Sequence, residues 1–386
     1  MIKYISFSPH SAGLVNVIMS YELFLAIAEI TKRKVILPPY CRIDHLKNSC
    51  AELEWIDIWQ IFNKDILLEE FDCIEHNDVP EFEEHLDVMI GEVSYTKNID
   101  KCGLDLYQYI EPAKLISSSH VVFANDIEKT KDFREFAYKR DIFDLNTVNQ
   151  QFLHFEGNLF GHFWYNVYPG GEDERNKLKN KINRVLRYRD EFYSHADVVS
   201  QKIGPYNAIH VRRGDFLWVM KTQIEDVIDS EKLLDAIEYL PFENPDLPLY
   251  IATDEKDMSF FDEIKKKFDI YFYSDIYNFS DEGSPKNKLK RAVLEQTICA
   301  QADNFFGTYY STFSKRINIM RGLDGRQAAD HLGVNDFDTN ENLTHVFPWL
   351  EMPNKRWSWC CSSHPQWLNE KNGKWVDNSR PSKVSL

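Results

Sequence analysis

Asn207-Ala208-Ile209-His210-Val211-Arg212-Arg213-Gly214-Asp215-Phe216 runs an apolar, strand-forming segment directly into a histidine, two arginines and an aspartate. A short, buried type of strand that stops in fixed cations is a place to hold an anion. In an open α/β sheet, ligands bind at the carboxyl ends of strands, and a guanidinium fork matches phosphate oxygens two at a time. The segment therefore predicts a sheet strand that ends at a phosphate or diphosphate ligand. A surface turn with solvated arginines is the plainer alternative. An Arg-Gly-Asp adhesion motif is disfavoured, because the tripeptide continues a strand instead of occupying a loop tip.

Further strands are expected around this one. Leu249 to Ala252 ends in Thr253-Asp254, and Tyr271 to Tyr273 ends in Ser274-Asp275, so several strands finish in polar residues that line one crevice. A charged helix is expected from about Arg175 to Tyr193. At the other end of the chain, Ile2 to Phe7 reads as a strand and Gly13 opens a turn. Leu14 to Lys32 places Ile18, Leu23, Ala26, Ile27 and Ile30 at helical spacing, and Lys34 to Leu37 is a strand stopped by Pro38-Pro39. That order is a βαβ start, the mark of a parallel sheet covered by helices.

From Asp44 to about Glu92 the chain is acidic and expected to be helix-rich, with Trp55 and Trp59 at helical spacing in the core. Gln151 to Tyr165 is dense in aromatics. Pro169-Gly170-Gly171 marks the domain boundary, which gives an N-terminal Rossmann-like domain over 1–170, a C-terminal one over 171–350, and an extension over 351–386. The extension carries Trp357, Trp359, Trp367 and Trp375 and is expected to fold back, with a loose tail.

At 386 residues, 43% hydrophobic and 14% aromatic, the chain is long enough for two packed domains. Its net charge of −16 argues against a nucleic-acid partner, since most of the surface would repel a phosphate backbone. A basic pocket within an acidic protein suits a small anionic ligand instead. The seven cysteines form no CxxC pair, which supports neither a disulfide framework nor a zinc site. No stretch approaches the roughly 20 apolar residues of a membrane span, and the first residues run straight into a strand without a signal-peptide pattern. A soluble, cytoplasmic protein is expected, with a secretory-pathway location left open.

Four blocks together resemble the GDP-fucose O-fucosyltransferase superfamily, which takes in protein O-fucosyltransferases, plant O-fucosyltransferases and α1,6-fucosyltransferases. They are Ser8-Pro9-His10-Ser11-Ala12-Gly13-Leu14-Val15-Asn16, the His210 segment, Tyr250-Ile251-Ala252-Thr253-Asp254-Glu255, and Leu294 to Gly307 leading into Ser311-Thr312-Phe313-Ser314 with Arg321 and Gly322. Their order and spacing match over about residues 3 to 322. The resemblance implies an α/β fold of GT-B type, two facing Rossmann-like doubly wound domains. It also implies an inverting transfer of fucose from GDP-fucose to a protein or glycan hydroxyl.

By the same resemblance, Arg212 neutralises the departing diphosphate, and His210 contacts the donor near the diphosphate or the sugar. Gly13 and Asn16 belong to the N-terminal turn of the site. Ser311, Thr312 and Phe313 open a helix that binds phosphate, and Glu295, sixteen positions before Ser311, reads guanine. A carboxylate suits that task, because it can accept from both N1–H and the exocyclic amine. Asp254 is open to two uses, binding the base or ribose and capping its strand. Arg213 should point away from Arg212 and either bind donor or pair with Asp215 or another carboxylate.

The acceptor side departs from the family pattern. Some relatives carry a glutamate base in the N-terminal turn, whereas this turn has His10 and Ser11. Either His10 takes the acceptor proton or no dedicated base exists. His154, Glu156 and His162 are further acceptor-side candidates. No DxD pair is placed for a metal-bound diphosphate, so no metal and no other cofactor is expected. The alternatives kept open are a transferase for another GDP-sugar and a nucleotide-sugar-binding protein of weak activity.

Overall fold

The computed structural model describes residues 2–8, 13–37, 41–43, 55–75, 78, 88–90, 152–156, 172–214, 217, 229–240, 242–277, 285–308, 311–323, 370–371 and 374–375. The chain divides into two compact units, Met1–Arg189 with Gly283–Leu289, and Asp190–Glu282 with Lys290–Leu386. The expected boundary at Pro169-Gly170-Gly171 lies outside the described residues.

In the first unit, β1 (Tyr4–Ser8), α1 (Leu14–Thr31) and β2 (Lys34–Leu37) form the expected βαβ start, with Tyr4 opposite Lys34 and Ile5 opposite Val35 in parallel register. Contrary to the expectation that no segment is apolar enough, α1 is long and apolar enough to cross a membrane. It is also 76% buried, as suits a crossover helix covered on more than one side. Its apolar residues Val17, Ile18, Phe24, Leu25 and Ile27 are fully enclosed.

Next come the antiparallel pair β3 (Cys41–Arg42) and β4 (Trp55–Ile56), then α2 (Lys64–Glu70), β5 (Cys73–Glu75), β6 (Val88–Ile90) and β7 (Phe152–Glu156). The sheet order is β5-β2-β1-β7-β6, all parallel. Among the described residues of the stretch expected to be helix-rich, only α2 is an α-helix. Trp55 lies in β4, and Asp57 accepts from the N–H of Trp59 at 2.9 Å to start a single 3-10 turn, so the two tryptophans do not share a helix. Trp59 is buried between the rings of Tyr21 and Phe62.

The charged helix expected up to Tyr193 is two helices, α3 (Glu172–Val185) and α4 (Asp190–Ile203). The break has a local cause. Tyr188 leaves the helix to stack on Phe62 at 5.3 Å with the planes 10° apart, and the N–H of Arg189 donates to the carbonyl of Ile61 at 3.0 Å. Lys181 on α3 pairs with Glu29 of α1 at 2.7 Å.

The second unit holds β8 (Asn207–Val211), α5 (Ser230–Glu238), β9 (Leu249–Thr253), α6 (Asp262–Lys265), β10 (Ile270–Tyr271), α7 (Tyr273–Ile276), α8 (Pro285–Gln301) from Lys290 onward, β11 (Phe305–Gly307) and α9 (Thr312–Leu323). Its sheet runs β10-β9-β8-β11, all parallel. β10 ends sooner than the sequence suggests, because the Asp275 carboxylate accepts from the N–H of Phe272 at 2.8 Å and turns the chain into α7. A small antiparallel pair, β12 (Glu370–Lys371) and β13 (Lys374–Trp375), has β12 beside α9.

Within this unit α8 and α9 are joined by a buried arginine. Arg321 of α9 donates from Nη1 to the carbonyls of Ala300 and Ala302 at 3.0 and 2.5 Å, and from Nη2 to that of Asp303 at 2.9 Å. Those carbonyls close the end of α8, where helix geometry leaves acceptors without partners. Arg321→Met is expected to cost about 3 kcal/mol or more in urea unfolding, since buried acceptors of a charged donor would be orphaned. Arg321→Lys should recover only part of the loss, because a point cation cannot serve three carbonyls as a planar fork does.

Candidate active site

The end of β8 is tied to both neighbouring strands. The N–H of Arg212 donates to Thr308 Oγ1 at 3.0 Å, and Thr308 in turn donates from Oγ1 and from its N–H to the carbonyl of His210, each at 3.0 Å. On the other side, Thr253 Oγ1 donates to the carbonyl of Val211 at 2.8 Å. Strand pairing puts His210 level with Ala252 and Gly307, so Arg212, two positions on, continues that face.

Asp254 organises the turn that follows. Its Oδ1 accepts the N–H groups of Arg213 and Gly214 at 2.7 and 3.0 Å, and its Oδ2 lies 2.9 Å from Arg212 Nη1. A Cβ on Gly214 would come within 2.5 Å of Asp254 Oδ2, so the close approach needs glycine. Of the two uses left open for Asp254, this geometry displays the capping one. Arg213 takes a separate course: Nε donates to Glu255 Oε2 at 2.5 Å, and the guanidinium lies 3.8 Å from the centre of the Phe260 ring. Its carboxylate partner is thus Glu255; Asp215 lies outside the described residues. Bonds from Arg213, Lys256 and Asp257 hold the Glu255 carboxyl below the usual range, against the opposing effect of burial.

His210 is 5% exposed, with Nδ1 2.7 Å from Ser314 Oγ and its ring 4.6 Å from that of Phe313. Burial drives its pKa well below the ordinary histidine value; Arg212 adds to this and Asp254 opposes it. The ring is therefore a neutral imidazole at physiological pH. Ser311 is buried just ahead of α9, and Thr312 and Phe313 are half-buried in its first turn. A Cβ on Gly307 would meet Ser314 Oγ at 2.5 Å, so glycine lets α9 start close against β11.

On α8, Glu295 is 8% exposed and its Oε1 lies 3.3 Å from Nη2 and 3.4 Å from Nε of Arg291. Beneath it on β9 the Tyr250 hydroxyl is buried without a hydrogen-bond partner among the described residues, and burial together with the Glu295 charge pushes its ionisation well upward.

In the first unit, Gly13 starts α1 with no side-chain cap, and Asn16 in the first turn has a buried Oδ1 without a partner among the described residues. His154 and Glu156 lie on β7, opposite Ser6 and Ser8 of β1. His10 and His162 lie outside the described residues. The structure thus brings His210, Arg212, Asp254, Thr308 and Ser314 into one bonded cluster. Thr308, Ser314, Glu255 and Phe260 are additions to the sequence-based set. Ser314 shares a helix face with Ser311 at i+3, which is a readable signal, whereas nothing near Phe260 announces its stacking on Arg213. Among the described residues no group of three or more His, Cys, Asp or Glu could hold a metal ion.

A family model described as GDP-fucose protein O-fucosyltransferase matches residues 4–324. The chain is 34% identical over 123 residues to GDP-fucose protein O-fucosyltransferase 2 of Caenorhabditis elegans, a match covering 32% of this chain and 27% of that protein. With the protein of the same name from Plasmodium berghei (strain Anka) it is 25% identical over 334 residues, 78% of this chain and 68% of that protein. The crystal structure of POFUT1 in complex with GDP-fucose has the same fold, with a TM-score of 0.51 at 14% identity over 83% of this chain and 94% of that one.

The neutral state of His210 has a measurable consequence. Below the ordinary histidine value the unfolded chain binds a proton that the folded one refuses, so this residue makes stability fall as pH falls. Between pH 7 and pH 5 the wild type should lose about 2 kcal/mol more than His210→Asn in urea unfolding, from roughly 1.4 kcal/mol per pH unit below about 6.5. Equal losses would mean that the imidazole is protonated in the folded protein.

Proposed function

The chain belongs to the GDP-fucose protein O-fucosyltransferase family, and from that membership we propose that it transfers fucose from GDP-fucose to a hydroxyl of a protein or glycan acceptor. The observation that carries this reading is the side chain of Arg212, 16% exposed at the end of β8 and held by Asp254 beside a neutral His210. As the bond between the sugar and the β-phosphate oxygen breaks, negative charge grows on that oxygen and the sugar becomes oxocarbenium-like. A fixed guanidinium stabilises that charge without a proton transfer and without reorganising during the reaction.

His210 supports it as a neutral donor. On this reading the Ser314 hydroxyl donates to Nδ1 and the ring hydrogen is assigned to Nε2, where it would serve a phosphate oxygen. Ser311, Thr312 and the opening N–H groups of α9, a 12-residue helix, supply further donors of the kind that suits an anion. Because these groups provide the positive potential that a divalent ion supplies elsewhere, the reaction is read as metal-independent. The acceptor oxygen attacks the anomeric carbon from the face opposite the departing GDP in one displacement, which inverts the configuration. Glu295 takes the guanine edge. Arg213, held by Glu255 and Phe260, shapes the turn that carries Arg212. In the first unit, Gly13 and the Asn16 Oδ1, which has no partner among the described residues, are assigned to the substrate, with His10 as the candidate base and His154, Glu156 and His162 as acceptor-side candidates.

GDP is expected to raise the melting temperature by several degrees in the presence of EDTA, while UDP and ADP do not, since a ligand that binds only the folded state stabilises it by mass action. Equal shifts from all three nucleotides would remove the donor assignment, and a GDP shift that needs added Mn2+ would remove metal independence. Arg212→Lys should lower turnover on the order of a hundredfold or more, because a point cation cannot copy a two-pronged contact. Near-normal turnover in that variant would move the charge-stabilising role elsewhere.

A further inference from the structure

We infer that Arg291, one helical turn ahead of Glu295 on α8, is a positioning residue for base recognition: it keeps the buried Glu295 carboxylate ionised and held in one orientation, so that guanine meets a two-oxygen acceptor. The inference rests on the reading that Glu295 receives the guanine edge.

Three observations carry it. The first is the contrast in exposure: the Glu295 side chain is 11% exposed and that of Arg291 38%. A carboxylate so enclosed favours its protonated form unless a cation stands beside it. The second is the direction of the pair, since Nε and Nη2 of Arg291 both approach the same oxygen, Oε1. The third is that the arginine is itself held, its guanidinium 5.0 Å from the centre of the Tyr273 ring at the start of α7. An exposed i,i+4 pair normally contributes a few tenths of a kcal/mol to its helix and little else. Here the cation is stacked on one element while its partner is buried against another.

Among the described residues, the other titratable groups that face this pair are Tyr250, Cys299 and Tyr273, and a second cation, Arg321, acts on Cys299 from α9. Tyr250 approaches from β9, Cys299 lies one turn further along α8, and the ionisation of each is pushed well upward, by burial first and the Glu295 charge second. Tyr273, on α7, meets the pair through the face of its ring. Arg291 is the cation bonded to the Glu295 carboxylate itself, and its removal should therefore let Glu295 take up a proton at mildly acidic pH. A protonated carboxyl keeps one full acceptor oxygen and turns a hydrogen toward the base. It can no longer accept from N1–H and the exocyclic amine together, so it ceases to distinguish guanine from hypoxanthine, which lacks the amine.

The test is calorimetric titration of GDP and inosine diphosphate against the full chain as wild type, Arg291→Met, Arg291→Lys and Glu295→Ala, at about pH 6 and pH 8. The ratio of the two affinities is the readout, because both nucleotides carry the same diphosphate and its titration and that of His210 cancel. The wild-type preference for GDP should be the same at both pH values. In Arg291→Met it should fall on the order of tenfold at pH 6 and return to within about twofold of wild type at pH 8, while Arg291→Lys stays independent of pH. A preference in Arg291→Met that matches wild type at pH 6, with Glu295→Ala losing it, overturns the role of Arg291 alone. A preference that survives in Glu295→Ala overturns the reading of Glu295 as well.

Discussion

The carboxylate of Asp254 is the contact on which the second unit's site depends. It stands just past β9, yet it accepts the two N–H groups of the turn after β8 and pairs with Arg212. One side chain therefore sets both the backbone path and the side-chain direction of the catalytic candidate. Removing it would take away the ion pair that orients the Arg212 guanidinium. The same acid explains why the turn needs Gly214, since a methyl group there would occupy the space of the carboxylate oxygen.

The opposite flank is built by close approach instead of charge. Gly307 lets the first turn of α9 sit against β11, which brings Ser314 to His210 and lets Thr308 bridge to the backbone of His210 and Arg212. Arg321 then fastens α9 to the end of α8 through three carbonyls. The helix that opens at the proposed phosphate site and the helix that carries Glu295 are thereby held in one spacing.

Much of this was legible in the sequence because strands and their polar ends announce themselves locally. β1, α1, β2, β8 and β9 lie within a residue or two of their expected places, and the polar ends of β8 and β9 are where the bonded cluster forms. The errors have physical reasons. Trp55 and Trp59 fit a helical period, but Asp57 captures a nearby N–H and begins a 3-10 turn. The single charged helix before β8 is broken because Tyr188 gains an aromatic partner about 126 positions away in Phe62, a contact invisible to any local pattern. β7 was hidden by composition: Phe152, Phe155 and their neighbours read as an aromatic cluster, although His154 and Glu156 alternate as a strand does. Arg321 stands in the quoted motif with nothing local to say that its partners are carbonyls on the preceding helix.

The charge balance of the turn bears on how an anion could be held there. Arg212 and Arg213 are matched one for one by Asp254 and Glu255, and His210 is neutral. Among the described residues each guanidinium of the Arg-Arg pair thus has a carboxylate beside it, within a chain of net charge −16. That pairing weakens bulk attraction as a source of affinity for the proposed diphosphate. What remains is preorganisation: a guanidinium already oriented by a carboxylate, an imidazole held beside a serine hydroxyl, and the N–H groups at the start of a packed helix. Donors fixed in this way gain most where charge develops, at the departing phosphate oxygen, and gain less from an anion that arrives with its charge already spread and solvated. On the proposed reading, such a cluster of matched charges favours the transition state of GDP departure over the resting nucleotide-sugar, which an unmatched basic patch would hold too well in both states.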